Sequence, residues 1–168
     1  MGGRDAELPQ LMARLAHRQR VYVRSGRIPS TPGGLDGLRA AVAAEAHVVI
    51  RMLWKDWEQW ASDRSGPASA QQVEEALEAL TAERAVELMA WLAAQCLVWP
   101  GASFMARCEA DAVARRVGQL LGPDAHWWST FDPELEGCVS CVSACTFDGL
   151  VTGTDGRRFV VLIQVGED

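Results

Sequence analysis

The hydrophobic period of this chain changes once, at Gly122-Pro123. Before that point apolar residues recur every three or four positions; from Trp127 onward they recur nearer every second position. A period of 3.6 specifies helices with one buried stripe, and a period of two specifies strands whose side chains alternate between faces. The chain therefore reads as α+β. About five helices form a bundle-like body over residues 1–122, packed against a C-terminal antiparallel β-meander or hairpin of two or three strands over residues 123–168. At 168 residues it is read as one domain, 1–168, long enough to bury roughly 70% of the surface its unfolded chain exposes.

Local signals set the predicted boundaries. Leu8, Leu11, Met12, Leu15 and Tyr22 carry a helical stripe from about Ala6 to Arg20 or beyond. Two prolines and three glycines between Gly26 and Gly34 then force a loop,. Val42, Ala46, Val49, Leu53, Trp57 and Trp60 give the longest stripe, over about Leu35 to Asp63, and mark a central helix with Trp57 and Trp60 inside,. Ser69-Ala70-Gln71-Gln72 is a capping box for a third helix, and Thr81 caps a fourth,. A fifth starts near Ser103 and stops at Gly122-Pro123,. Trp127–Phe131 is a first strand, and Cys138–Gly153 alternates with a break near Asp148-Gly149. Asp155-Gly156 favours a type I′ turn into the β-branched strand Phe159–Val165,.

Charge narrows the partners. The net charge is −6, with seven arginines against three carboxylates in residues 1–39 and nine basic against nineteen acidic residues in the remainder. An acidic body argues against nucleic acid as the main partner, because phosphate binding needs a basic face. It suits a basic protein partner, which it would attract by electrostatic steering. One lysine, Lys55, stands against fifteen arginines and the chain is rich in alanine, which points to a high-GC bacterial source. Met1–Asp5 leads into an amphipathic stretch instead of an apolar signal core, and no apolar run reaches the ~18 residues of a membrane span,. A cytoplasmic location is expected, with all five cysteines as free thiols.

Chemistry-bearing residues are present but sparse. Cys138-x-x-Cys141-x-x-x-Cys145 superficially resembles part of a metal or cluster motif,. On a strand, however, Cys138 faces away from Cys141 and Cys145, so plain packing as small hydrophobes is preferred. A thiol site would draw on these three cysteines with His126 as base and Asp148 to orient it,. His47 lacks a metal-binding partner one helical turn away, and Pro32-Gly33-Gly34 lacks the residues of a P-loop or dinucleotide motif,. No catalytic, metal or cofactor residues are therefore assigned.

The leading expectation is a non-enzymatic protein-interaction module of immunity, adaptor or regulatory type. Seven tryptophans, the segregated charge and an apolar last strand motivate it,. Its contact residues are expected among Trp54, Trp127, Trp128, Phe147, Val161 and Ile163, with a homodimer or hetero-complex formed through the last strand,. The alternative is a small-ligand-binding protein or enzyme, with a pocket between helices and sheet lined by Trp127, Trp128, Phe131, Phe147 and the cysteines. A third reading is a thiol- or metal-based sensor.

Overall fold

The computed structural model describes residues 2–29, 33–135, 137–138 and 141–168, with residues 137 and 138 described by backbone alone. In chain order the elements are α1 (Gly2–Leu15), β1 (Val21–Arg27), α2 (Gly34–Trp57), α3 (Ala70–Ala76), β2 (Glu78–Leu80), α4 (Ala82–Ala94), α5 (Arg107–Leu121), β3 (His126–Ser129), β4 (Phe131–Asp132), β5 (Gly137–Cys138), β6 (Phe147–Thr154) and β7 (Arg158–Gly166). A single 3₁₀ turn, Pro133–Leu135, sits between β4 and β5. No described helix is long and apolar enough to cross a membrane.

The α+β class stands, but the sheet is larger than expected. Five strands pair in the order β1-β7-β6-β3-β2, all antiparallel, and β4 and β5 form a separate small ladder. Two of the five, β1 and β2, come from the stretch read as wholly helical. Helices cover both faces. α1, α4 and α5 form one core with Trp127, Val151, Val160 and Leu162. α2 and α3 form the other with Trp128, Leu150, Phe159, Val161 and Ile163. The result is three layers, and the alternation of β7 explains it: odd residues from Phe159 to Val165 enter one core, while Val160 and Leu162 enter the other. A strand buried on both faces reads as a continuous apolar run, as this one does.

β7 is covered by its own chain, so it does not present the exposed strand expected of it. It lies between β1 and β6, and Val161 and Ile163 are both fully buried. Neither its edges nor its faces are open to a second chain. The outer strands are β1 and the three-residue β2. Arg24 of β1 pairs with Glu45 at 2.7 Å and Arg27 pairs with Asp5, so charged side chains guard the longer edge,.

The helix boundaries follow their caps. Ser69 accepts a hydrogen bond from the Gln72 N–H while the Gln72 side chain accepts from the Ser69 N–H, completing the capping box. Thr81 accepts from the Arg84 N–H at the start of α4. α2 is shorter than its stripe suggests and is a covering layer, not the centre; Trp57 is buried, whereas Trp60 lies past the helix end and is 65% exposed. The Trp57 indole N–H donates to the Gln19 carbonyl at 3.2 Å, which fixes the turn before β1. β6 runs unbroken through Asp148-Gly149. Its Gly153 sits under the Trp127 ring, where an added Cβ would come within 2.3 Å of a ring carbon. Of the β6–β7 turn residues only Gly156 has positive φ, so the turn is not type I′,.

Candidate functional site

A groove opens at the β2 side of the sheet. Its walls are the end of α3 and β2 (Ala76, Glu78, Leu80), the first turns of α4 (Arg84, Glu87, Leu88, Trp91) and the segment from Ser129 to Glu134. Local rules place each wall. The Thr81 cap starts α4 directly after β2, so Arg84, Glu87 and Trp91 recur at helical spacing along it,. The Ser129–Phe131 segment is held as β3 ends: Thr130 exchanges backbone and hydroxyl hydrogen bonds with Leu150, and the Ser129 hydroxyl donates to the Phe131 carbonyl. Asp132 then accepts from the Glu134 N–H at 2.9 Å and starts the 3₁₀ turn.

The floor is aromatic. Phe131 and Trp91 stack with centroids 5.5 Å apart and planes 27° from parallel. Gly149 makes room for this, because a Cβ there would lie 3.0 Å from the Phe131 ring and 2.8 Å from Leu92. The rim is acidic. Glu78, Glu87, Asp132 and Glu134 line it with one cation, Arg84. The Arg84 guanidinium lies 3.2 Å from Glu134 and 3.7 Å from Asp132. These carboxylates hold it still more firmly protonated than a free arginine. The cavity is about 110 Å³.

A second, polar groove of about 600 Å³ lies between the α2–α3 connection and the segment before β6; Asp63, Gln72, Glu75, Cys141 and Cys145 are among its lining. Buried carboxylate chemistry shapes it. Asp148, 1% exposed, accepts hydrogen bonds from the Val142 N–H, the Ser143 N–H and the Ser143 hydroxyl. Burial nevertheless raises its pKa to about 6. Near the C-terminus Glu167 accepts from the Ser62 N–H, the Thr146 N–H and the Thr146 hydroxyl, tying the two walls together.

The cysteines depart from the expected five thiols. Cys96, Cys108 and Cys145 are free, but Cys141 is disulfide-bonded. The Cys138 side chain lies outside the described residues. Disulfides persist in oxidising surroundings, so the cysteines no longer argue for a cytoplasmic location. Nor does the thiol–histidine arrangement assemble. His126 pairs with Thr154 at one end of β6, whereas Cys141 and Cys145 precede Phe147 at the other. Eight strand residues separate them, about 23 Å at the usual rise. Burial also pushes the Cys145 thiol up to about 11, so it stays protonated at neutral pH,. Asp148 is pinned to its own loop and does not orient His126. Among the described residues no group of three or more His, Cys, Asp or Glu side chains is arranged to hold a metal ion.

The expected aromatic pocket is also taken apart. Trp127 and Trp128 are buried on opposite faces of the sheet, in different cores. Phe147 is half-buried at the far end of β6, opposite Gly166, and Trp54 is half-buried on α2. Among the described side chains of the pocket-lining set only Phe131 reaches the acidic groove, where it meets Trp91, a residue given no role by the sequence pattern. The available signal was Asp132-Pro133, a turn initiator that ends the strand and lets the chain fold back over α4,.

No protein-family model matches the chain, and no similar curated protein or solved structure was found.

Proposed function

We propose that this chain is a non-enzymatic protein-interaction module that binds a basic partner through the acidic groove beside β2. The observation carrying this reading is the groove's composition: four carboxylates and one arginine around a stacked Trp91–Phe131 pair. Aromatic anchors ringed by charge are what partner-binding surfaces use for affinity and for steering. The size of the cavity favours a protein partner over a metabolite. About 110 Å³ is well below the roughly 300–1,000 Å³ of sites that enclose a small molecule. The catalytic alternative loses support, since His126 lies beside one end of β6 while Cys141 and Cys145 precede the other. An immunity, adaptor or regulatory role fits such a module.

Affinity capture from the native host tests it, using wild type and the double variant Glu87→Lys/Glu134→Lys at low and high salt. A partner with a basic surface should be retained by wild type at ~50 mM salt, weakened at ~300 mM and lost with the double variant. A partner held equally by the double variant, or one insensitive to salt, would refute the assignment of the interface to this groove.

A further inference from the structure

Resting on that reading, we infer that the groove seats one arginine side chain of the partner, with its guanidinium laid against Trp91 and paired to the acidic rim. Size selects a side chain. A cavity of about 110 Å³ is well below the roughly 300–1,000 Å³ of sites that enclose a whole small molecule, and suits one side-chain head without its backbone. Charge selects a cation. Glu78, Glu87, Asp132 and Glu134 outnumber Arg84 by three charges. Among the described residues neither Glu78 nor Glu87 has a cation within 4 Å, and Glu87 acts on Arg84 only at longer range.

The floor and the resident arginine select guanidinium over ammonium. A guanidinium is flat, weakly hydrated and able to stack on an indole while its N–H groups reach carboxylates; an ammonium is a compact, strongly hydrated point charge. Arg84 already demonstrates the second half of this geometry, because its guanidinium spans Glu134 and Asp132. These pairs are exposed and weak, so Arg84 can move aside or share the rim. β2 is the outermost strand, so no further strand of this sheet closes that side.

The test uses the intact protein and three acetylated, amidated Gly-X-Gly peptides, where X is arginine, lysine or citrulline, the neutral isostere of arginine. Nuclear magnetic resonance follows the Trp91 indole N–H, assigned with Trp91→Phe, and the Ala79 and Asp132 amides. The arginine peptide should give saturating shifts confined to these groups, with Kd on the order of millimolar. Lysine should bind at least about threefold more weakly, and citrulline should leave the signals in place. Glu87→Gln/Glu134→Gln should weaken arginine binding about fivefold, with signals from β6 and β7 unchanged as proof of fold. Equal shifts with citrulline, or shifts that spread over the acidic surface without saturating, would overturn the seat. Failure of the peptide alongside salt-sensitive, groove-dependent partner capture would reject the arginine seat and leave the interaction module standing. Peptide binding with no captured partner would do the reverse.

Discussion

At the scale of single residues, Asp148 has the largest consequence for solution behaviour. Its carboxyl is 1% exposed, and the Val142 N–H, the Ser143 N–H and the Ser143 hydroxyl donate to one of its oxygens, yet loss of hydration outweighs these bonds and lifts the pKa to about 6 from 3.8. The sign follows from linkage. Between those two values the folded chain binds more protons at this site than the unfolded chain, so the site's contribution to stability falls as pH rises and is flat above the upper value. From pH 4.5 to pH 7.5 the loss comes to about 2 kcal/mol. Asp63, Asp155 and Glu167 have lowered pKa values and act in the opposite sense, so wild type alone will not display the effect. Subtraction does. The stability of wild type minus that of Asp148→Asn, from denaturant melts, should be about 2 kcal/mol more favourable to wild type at pH 4.5 than at pH 7.5. A difference that does not change with pH would mean that Asp148 titrates as an ordinary carboxyl.

At the scale of elements, what sequence could show was whatever neighbours in sequence decide. The Ser69–Gln72 box and the Thr81 cap are closed within four residues, and both form as their spacing predicts. β1 is different. Tyr22 continues the helical stripe of Leu8, Leu11 and Leu15, and only Gln19, held at φ +62, interrupts it. Val21–Arg27 is a strand because β7 pairs with it from well over a hundred residues away, and strand formation answers to such context more than to propensity. β2 is three residues, Glu78-Ala79-Leu80, with little strand preference of their own, drawn out by β3. The groove was hidden for the same reason, since it joins residues 76–91 to 129–134. Gln164 shows the cost of the missing third dimension most clearly. In sequence it is a polar interruption of an apolar strand. In the fold it is 1% exposed and caps α4, donating to the Leu92 and Gln95 carbonyls and accepting from the Leu97 N–H. Gln164→Leu improves the hydrophobic pattern yet strands three backbone groups, and should destabilise by about 2–4 kcal/mol. Equilibrium unfolding within about 0.5 kcal/mol of wild type would show that water or a relaxed backbone replaces the cap.

At the scale of the whole molecule, the decisive fact is where the last strand sits. Its continuous apolar sequence invites two explanations, an exposed strand awaiting a partner or a central strand already covered. Only the second helical layer distinguishes them. Here α2 and α3 supply that layer, and both Val161 and Ile163 point into it at zero exposure. Substitution with lysine at either site therefore tests the architecture. Were β7 an interface, Val161→Lys or Ile163→Lys would yield a folded monomer. In the three-layer fold each variant instead buries an ammonium with no carboxylate partner and displaces a packed side chain, at several kcal/mol. For a chain of 168 residues, where 1 kcal/mol moves Tm by about 2–4 °C, a drop of at least about 10 °C or outright loss of cooperative unfolding is expected from circular dichroism. Any self-association seen by light scattering would then have to use the guarded β1 edge or the acidic groove, and should respond to Arg24→Glu or to Glu87→Lys. A Val161→Lys or Ile163→Lys protein that melts within a few degrees of wild type, and differs only in its mass in solution, would return β7 to the surface.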